Sequence, residues 1–554
     1  MNAKRPWHTA YPAGMPTSID LSGYESLVSM IEDNLTEFAD RPAYDLMGKT
    51  ITFSDLDRMS MGFAAFLQSQ GLKRGDRVAI MLPNVLHYPV AMIGALRAGM
   101  VVVNVNPLYT PRELRHQLVD SGSVFLVILK DFLATFDSIK HETLVRKAVI
   151  ASIDEIPVFD SFEINERMEG PDWVSFGNAV ARGANAPFER PRLDMNDIAV
   201  LQYTGGTTGI SKGAALTHGN LVGALKIANL WAEPALAKKK VTGQMNVVCA
   251  LPLYHVFAFI ACALMGLRFG ALNILVPNPR DAAGMIKNLT RFKLHMFPAV
   301  NTLFNAMINT PEFANLDFSE MVLCNGGGAA VQEVVARKWL DVTGAPIVEG
   351  YGLSETCALA TCNRSDVDAF TGTIGLPVPS IDIRILDDDE KDVAVGASGE
   401  IAIKGPPVMS GYWNRPGETR AVMTADGYFK TGDIGTMDSH GYIRIVDRKK
   451  DMIIVSGFNV YPNEIEAVIA AHPRVLECAV VGVPDDKTGE AVLAFVVPNG
   501  EVLTADEIKV FCKDKLTGYK SPKRIEFRKE LPKTNVGKIL RRELRDAAIK
   551  ELTA

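Results

Sequence analysis

A stretch rich in glycine and threonine follows a predicted buried strand, 198–202, and carries the strongest chemical signal in the chain. Its glycines let the backbone approach an anion closely, while its hydroxyls and one lysine add hydrogen-bond donors and positive charge. The residues that could contact phosphates are Thr204, Gly205, Gly206, Thr207, Thr208, Gly209 and Lys212. The stretch is not a P-loop, in which glycine directly precedes the lysine, because Lys212 lies between Ser211 and Gly213. We predict a phosphate cradle here rather than a solvated turn.

Two further glycine-containing segments suit a nucleotide and a metal ion. They contribute Gly326, Gly327, Gly328, Gly350, Tyr351, Gly352, Ser354, Glu355 and Thr356. Tyr351 can present its ring to a purine, and the glycines at 326–328 leave backbone open to a ligand. The Glu355 carboxylate is a hard oxygen ligand suited to Mg²⁺ beside phosphates. Read alone, Glu355 is a solvated charge, and only the phosphate loop favours the metal-binding interpretation.

Three charged positions nearer the C-terminus have both a functional and a structural interpretation. Asp433, in a tight turn, can accept hydrogen bonds from both hydroxyls of a ribose or simply cap the turn. The charged run at 447–451, with Asp447 and Arg448, is either a hinge or a solvated linker. Lys538 follows Gly537 at the start of a helix predicted over 537–552, and its functional interpretation needs support from the other segments.

The elements that must position these residues follow an α/β pattern. Short apolar runs alternate with helical segments over 51–130 and recur near 198–201, 247–251 and 271–276, which is typical of βαβ units and a mainly parallel sheet. From about residue 375 short strand-like segments separated by turns indicate a β-rich subdomain over 375–446. We predict a multidomain α/β protein, with a large body over 1–446 and a small, mobile C-terminal α+β domain over 447–554.

Composition and charge exclude several classes of protein. The chain has 554 residues, of which 47% are hydrophobic and 22% charged, as in ordinary globular proteins. Its net charge of −6 argues against a nucleic-acid-binding surface. Residues 448–554 nevertheless contain 19 basic and 16 acidic side chains, against 58 and 64 in the whole chain. This basic module predicts an anionic ligand, unless the imbalance is compositional noise.

Cysteine usage and hydropathy predict the compartment. The seven cysteines include no CxxC pair, which fits a reducing environment and disfavours a zinc site or a disulfide framework. No apolar run reaches the ~20 residues of a bilayer span, and the start of the chain lacks the apolar core of a signal peptide. We predict a cytoplasmic protein, with Lys4, Arg5 and Trp7 as a candidate contact with the inner face of the membrane. A homo-oligomer is left open.

Taken together and in this order, the motifs resemble the adenylate-forming acyl-CoA synthetase family over about residues 27–546. Two stretches, LPLYHVF at 251–257 and DRKKDMIIVSGFNVYPNEIE at 447–466, are similar to bacterial long-chain fatty acid–CoA ligases of fatty acid degradation. The resemblance implies a two-step reaction that uses Mg²⁺, ATP and coenzyme A. A fatty carboxylate attacks the α-phosphate of ATP and releases pyrophosphate. The thiol of coenzyme A then attacks the acyl adenylate and expels AMP.

The resemblance also implies a role for each matching nucleotide-binding residue. The loop over 204–212 would hold the β- and γ-phosphates, and Glu355, with Thr204 nearby, would bind Mg²⁺. Tyr351 would stack on adenine, with the backbone of 326–328 as the pocket wall. Asp433 would bind the ribose hydroxyls with the assistance of Arg448.

The remaining roles concern catalysis and the second step. Lys538 matches the family's catalytic lysine, and His255 would lie by the carboxylate and the α-phosphate unless it is a core residue. In the family the C-terminal module rotates about the position of Asp447, so that Ser456 and Gly457 come to line the coenzyme A channel. Candidate contacts for the coenzyme A phosphates are Lys520, Lys523 and Arg524.

Two departures from the family pattern stand out. The common loop has Ser at the position of Gly205 and Pro at that of Ser211, changes that keep the phosphate-facing residues. Some long-chain members place a Trp gate shortly after the position of Gly457, where this chain has Phe458 and Asn459. Residues 256–270 and 296–304 could line an acyl tunnel or form ordinary core.

Other functions remain alternatives at this point. One is a medium-chain or aryl-acid CoA ligase on the same scaffold, and another is a module that loads acyl groups onto a carrier protein. A non-catalytic relative is disfavoured by the joint presence of Lys538, Glu355 and Asp433.

Overall fold

The computed structural model describes residues 5–154, 164–204, 211–534 and 537–553, and its largest sheet has eight strands. In spatial order these are Gly411–Tyr412, Lys212–Thr217, Ile198–Thr204, Val101–Asn104, Arg77–Met81, Phe125–Leu129, Lys147–Ala151 and Trp173–Ser175. The last six run parallel, whereas the first two are antiparallel to their neighbours. The helices of this part are Phe53–Ser69, His87–Arg97, Pro111–Ser121, Leu133–Asp137 and Phe176–Ala184. The predicted mainly parallel sheet is confirmed.

A second sheet of four strands packs into the same core. Its order is Asn246–Cys249, Leu272–Leu275, Pro42–Leu46 and Lys49–Thr52, and the first three strands are parallel. Its helices are Leu27–Glu37, His218–Lys238 and Ala282–Leu289. A further helical segment begins after His255 and consists of Val256–Ala258, a π-helical turn at Phe259–Leu264, and Met265–Arg268. This segment is mostly buried.

A third sheet brings two predicted site segments to one edge. Its strands are Cys324–Gly326, Ile347–Tyr351, Thr361–Cys362 and Leu376–Pro377, with helices Asn301–Ile308 and Glu333–Thr343 nearby in sequence. The first two strands run parallel, with Gly326 opposite Glu349. Parallel strands end on the same side of a sheet, so Gly326 and Tyr351 lie at the same edge.

The predicted β-rich region is an antiparallel sheet of four strands. These are Asp382–Leu386, Gly399–Lys404, Phe429–Met437 and Ile443–Arg448, and the helix Pro416–Ala421 lies between the second and the third in sequence. The register places Asp433 opposite Arg448 and Ile434 opposite Asp447. The predicted boundary at 446–447 therefore falls near the end of the last strand of this sheet.

The C-terminal unit is α+β and has buried clusters of its own. Its strands are Ile453–Val455, Phe458–Val460, Val475–Asp485, Gly489–Pro498 and Arg524–Phe527, and its helices are Pro462–Ala470, Ala505–Lys513 and Arg541–Thr553. The last helix begins at Arg541 rather than at the predicted Gly537. The reason is a turn in which the Thr534 N–H donates to the Lys538 carbonyl oxygen at 2.7 Å, so that Lys538 lies in a loop.

The N-terminal segment corrects one expectation. Trp7 is only 3% exposed and packs against Gly441, where a side chain would come within 2.6 Å of the Trp7 Cβ atom. Arg5 forms an ion pair with Asp382 at 2.6 Å. Trp7 is therefore not exposed as the predicted membrane contact requires, whereas the Arg5 side chain is 49% exposed; Lys4 lies outside the described residues. Among the helices of the described ranges, none is long and apolar enough to cross a bilayer.

Candidate active site

The base of the predicted phosphate loop joins two antiparallel strands. Strand Ile198–Thr204 pairs with Lys212–Thr217, and the register sets Thr204 opposite Lys212. This pairing places Thr204 and Lys212 beside each other where the loop begins and ends. The loop residues Gly205, Gly206, Thr207, Thr208 and Gly209 lie outside the described residues.

Lys212 is connected to Glu355 through a tyrosine that the sequence did not single out. The Lys212 ammonium lies 5.2 Å from the ring centroid of Tyr412 and forms an ion pair with Glu418. The Tyr412 hydroxyl donates to Glu355 Oε1 at 2.7 Å. Tyr412 belongs to the two-residue edge strand that pairs with Ala214 and Ala215, beside the phosphate loop. Only this long-range pairing shows that Tyr412 belongs to the site.

Glu355 is a buried carboxylate on a short 3-10 turn, Ser354–Thr356, that contacts strand Ile198–Thr204. It is 7% exposed, and burial raises its pKa, while the hydrogen bond from Tyr412 acts in the opposite direction. A divalent cation would offset this burial. In the described ranges, no group of three or more His, Cys, Asp and Glu side chains could hold a metal. A cation here would therefore draw on Glu355 and on the phosphates of a ligand.

A cavity of about 320 Å³ opens beside Glu355. Its lining includes Leu353, Tyr412 and residues 431–432. These precede Asp433 within the strand Phe429–Met437, so Asp433 lies in a strand and not in the predicted tight turn. The cavity therefore extends from Glu355 to the strand of the β-rich sheet that carries Asp433.

Tyr351, Asp433 and Arg448 come together although they are far apart in sequence. The Tyr351 hydroxyl donates to Asp433 Oδ2 at 2.5 Å, and Arg448 Nε lies 3.5 Å from Asp433 Oδ1. Both Tyr351 and Asp433 are buried. The cross-strand register that sets Asp433 opposite Arg448 explains the ion pair, and the tyrosine joins it from the third sheet.

The neighbouring small residues have different environments. A side chain at Gly352 would come within 2.2 Å of the Ala358 backbone, so this glycine permits close packing of the chain. Thr356 is fully buried, and its hydroxyl accepts a hydrogen bond from the Leu353 N–H at 2.9 Å, which makes it part of the turn that holds Glu355. Ser354 is half-buried on the same turn. Gly350 lies in the strand that carries Tyr351.

Lys538 reaches from the C-terminal unit to the glycines at 326–328. A side chain at Gly328 would lie 3.4 Å from Lys538 Cε, and one at Gly327 would lie 3.2 Å from the Phe257 ring. The Lys538 loop rests on helix Asn301–Ile308, where the Thr302 hydroxyl donates to the Gly537 carbonyl oxygen at 3.1 Å. Gly537 has a φ of +80°, and a Cβ atom there would come within 2.5 Å of Thr302 Oγ1. Glycine is therefore required for this docking.

The charge of Lys538 is adjusted by its surroundings. Burial and the nearby Arg448 lower the pKa of Lys538 to about 8, while Asp433 and Glu355 act in the opposite direction. The lysine is thus within electrostatic reach of the ribose-binding and metal-binding candidates. This position supports a role for the positive charge of Lys538 at a phosphate.

His255 caps the start of the helical segment Val256–Arg268. Burial and the Lys538 charge lower the pKa of His255 to about 3, so its imidazole is neutral at pH 7. Its Nδ1 accepts a hydrogen bond from the Phe257 N–H at 3.3 Å. A neutral imidazole with Nδ1 as acceptor carries its proton on Nε2, which can donate to an anionic oxygen.

Ser456 and Gly457 are not brought to this site. They form the exposed two-residue turn between Ile453–Val455 and Phe458–Val460, with φ values of 52° and 83°. Nothing lies within 4 Å of the point where a Gly457 side chain would begin. The basic side chains predicted to contact phosphates each have a carboxylate partner, in the pairs Lys520–Glu464, Lys523–Asp485 and Arg524–Glu526.

Family models and known proteins resemble nearly the whole chain. The model of the AMP-binding enzyme family matches residues 31–413, and that of the AMP-binding enzyme C-terminal domain matches residues 464–538. A long-chain-fatty-acid–CoA ligase of Yersinia pestis is 49% identical, with 98% of each chain covered. A feruloyl-CoA synthase of an Amycolatopsis species is 33% identical, with 90% of this chain and 94% of that protein covered.

A solved structure shows a similar fold. An anthranilate CoA ligase in complex with anthranoyl-AMP aligns with a TM-score of 0.85 and 26% identity, covering 97% of this chain and 99% of that one.

Proposed function

The chain belongs to the AMP-binding enzyme family, whose members form adenylates, and on that premise we propose that it is an ATP-dependent long-chain fatty acid–CoA ligase. The observation that carries the proposal is the docking of Lys538, on the C-terminal unit, against Gly328 of the body, within electrostatic reach of Asp433 and Glu355. A half-buried lysine facing the candidate nucleotide-binding groups suits a reaction at the α-phosphate of ATP.

The first step makes the carboxylate reactive. A carboxylate cannot lose an oxide ion to a thiol, so its oxygen first attacks the α-phosphorus of ATP and pyrophosphate leaves with the bonding electrons. Lys538 stabilises the negative charge that builds up at the phosphate, and His255, as a neutral donor, orients the reacting oxygen. Tyr351 supplies the surface for adenine, and Asp433 accepts hydrogen bonds from the ribose.

The polyphosphate end of ATP extends toward Thr204 and Lys212. The ammonium of Lys212 exchanges its contact with Glu418 for the phosphates. The residues present fit Mg²⁺, because Glu355 is a buried carboxylate beside Tyr412 and the strand that ends at Thr204. When bound, the ion supplies charge neutralisation on the phosphates, with Glu355 and Thr204 as its protein contacts.

The second step needs a different arrangement of the C-terminal unit. The thiol of coenzyme A attacks the acyl carbon of the adenylate, and AMP leaves with the bonding electrons. We propose that the C-terminal unit, residues 447–554, turns about Asp447, so that Lys538 withdraws and the turn of Ser456 and Gly457 approaches the site. The exposure of this turn while Lys538 occupies the site supports the proposal.

The substrate class is supported by the comparisons and by one structural feature. Identity is 49% to a long-chain-fatty-acid–CoA ligase but 33% to a feruloyl-CoA synthase. The helical segment that follows His255, Val256–Arg268, is apolar and mostly buried, and we propose that the acyl chain packs against it.

The proposal is tested with purified protein and a panel of acids. AMP release is measured with saturated carboxylates from C6 to C18 and with one aromatic acid, in the presence of ATP, Mg²⁺ and coenzyme A. We expect turnover to peak among the long-chain acids and Lys538→Ala to abolish it. A peak on the aromatic acid would replace the proposal with an aryl-acid ligase. Transfer only to a phosphopantetheinyl carrier protein, and none to free coenzyme A, would replace it with a loading module.

A further inference from the structure

Asp447 lies in a strand of the large body, but its carboxylate contacts residues of the C-terminal unit. Its strand, Ile443–Arg448, is hydrogen-bonded into the β-rich sheet of the body, with Asp447 opposite Ile434. Its side chain is fully buried. Oδ2 accepts a hydrogen bond from the Asn463 N–H at 2.9 Å, and Oδ1 lies 3.4 Å from Arg541. Both partners lie on helices of the C-terminal unit.

Arg541 is the centre of this cluster. Its guanidinium forms two hydrogen bonds with the Glu466 carboxylate, from Nε at 3.0 Å and from an Nη at 2.6 Å. It also donates to Asn463 Oδ1 and lies 3.6 Å from Asp451. A bidentate arginine–carboxylate pair has a defined geometry that lysine cannot reproduce. The guanidinium therefore ties Asp447 to the helix Pro462–Ala470 in one orientation.

The same short segment carries Lys538. Arg541 begins the last helix, and the loop before it rests on the body through the contact of Gly537 with Thr302. Three residues span at most about 11 Å, so the position of Arg541 limits where Lys538 can lie. Burial raises the pKa of Asp447 to about 6, and the Arg541 charge opposes that rise.

We propose that Arg541 is a positioning residue for the first half-reaction: by binding Asp447 and Glu466 together, it stabilises the orientation of the C-terminal unit in which Lys538 reaches the nucleotide. The inference rests on the proposed function. The contacts of Arg541 are with the side chains of the cluster, and it acts through Asp447 and through the loop of Lys538. The second half-reaction, in which Lys538 is withdrawn, does not need this orientation.

The first test separates the two half-reactions. Arg541→Gln is compared with wild type in fatty-acid-dependent ATP–pyrophosphate exchange and in thioester formation from chemically prepared acyl adenylate and coenzyme A. We expect exchange to fall at least about tenfold and thioester formation to change less than about twofold. The matched control is Arg542→Gln, at a neighbouring arginine that is 61% exposed, which should leave both rates within about twofold.

A second variant keeps the test valid if Arg541→Gln folds poorly. Asp447→Asn retains the acceptor for Asn463 but removes the charge that faces Arg541. Its control is Asp514→Asn, at an exposed aspartate of the C-terminal unit outside this cluster. We expect Asp447→Asn to slow exchange and its control to leave the exchange rate unchanged. The double variant Asp447→Asn/Arg541→Gln should be no slower than Arg541→Gln. The inference would be overturned if the two substitutions lowered the exchange rate multiplicatively in the double variant. It would also be overturned if a variant lowered the rates of both half-reactions equally.

The orientation is also measured without catalysis. Fluorophores at Val395→Cys and Val502→Cys report the distance between body and C-terminal unit, since these sites are 74% and 85% exposed and the native cysteines are buried. We expect Arg541→Gln to shift the distribution of energy transfer while Arg542→Gln does not. An unchanged distribution overturns the inference. Absence of acyl-CoA formation by the wild type would instead overturn the proposed function.

Discussion

The most informative perturbation of the proposed chemistry is a rise in pH across the pKa of Lys538. In water a lysine stays charged to about pH 10.5, but burial of its ammonium and the repulsion of Arg448 lower the pKa of Lys538 to about 8. The shift corresponds to about 3 kcal/mol against the charged form. Because Lys538 is proposed to stabilise phosphate charge, the free enzyme should lose competence for adenylate formation as the proton dissociates.

The expected magnitude follows from a single ionisation. With a pKa of about 8, roughly nine-tenths of the enzyme carries the charged lysine at pH 7 and roughly one-tenth at pH 9. The value of kcat/KM for ATP in the first half-reaction should therefore fall about tenfold between these values. Bound ATP adds negative charge beside the ammonium and raises its pKa, so kcat should fall less than kcat/KM over the same range.

The assay is ATP–pyrophosphate exchange with a saturating fatty acid between pH 7 and 9.5. Thioester formation from presynthesised acyl adenylate is the internal control, because Lys538 is proposed to be withdrawn in that step. Lys538→Arg keeps a positive charge over the whole range and should flatten the profile, although the larger side chain slows the reaction. The reasoning is refuted if wild type shows no fall up to pH 9.5, or if Lys538→Arg retains the same fall.

Four other variants test three separate contacts of the site. Glu355→Gln should raise the Mg²⁺ concentration needed for half-maximal adenylation at least about tenfold, as measured by magnesium titration of pyrophosphate exchange. Tyr351→Phe keeps the ring and removes only the hydrogen bond to Asp433, so the KM for ATP should change less than about threefold, whereas Asp433→Ala should raise it at least about tenfold. Gly537→Ala places a methyl group against Thr302 and should slow adenylation at least about tenfold, with thioester formation preserved in the same half-reaction assays.

For each of the three contacts, one result would contradict the premise. An unchanged magnesium requirement in Glu355→Gln removes this residue from the metal site. A large rise in the KM for ATP in Tyr351→Phe would mean that the hydroxyl, rather than the ring, recognises the nucleotide. Wild-type adenylation by Gly537→Ala would show that the loop of Lys538 tolerates the steric overlap with Thr302.

Several candidate site residues could be proposed from the sequence because their chemistry is local. Glycines beside hydroxyls, an aromatic residue between glycines, and a carboxylate in a short turn are properties of a few consecutive residues. The alternation of apolar runs with helical segments likewise predicted the mainly parallel sheet, which the strand order confirms. The roles of the loop residues 205–209 stay predictions, since these residues lie outside the described ranges.

Other features could not be predicted because they depend on contacts between distant segments. Nothing in the local sequence of Tyr412 shows that its hydroxyl donates a hydrogen bond to Glu355, or that Glu418 forms an ion pair with Lys212. Trp7 is of a residue type that is common at membrane interfaces, yet the fold buries it against Gly441. The helix predicted to begin at Gly537 begins later, because hydrogen bonds within the loop and to Thr302 favour a turn there.

The sequence by itself determined the type of chemistry, since the residues able to hold phosphate, ribose and a hard cation are recognisable from their side chains and neighbours. Tertiary structure decided which of them act together. Lys538 has an ordinary lysine pKa in an unfolded chain, and only docking against Gly328, near Arg448 and Asp433, lowers it to about 8. The physical reason is that desolvation and Coulomb interactions depend on distance in space, which spacing along the chain does not set.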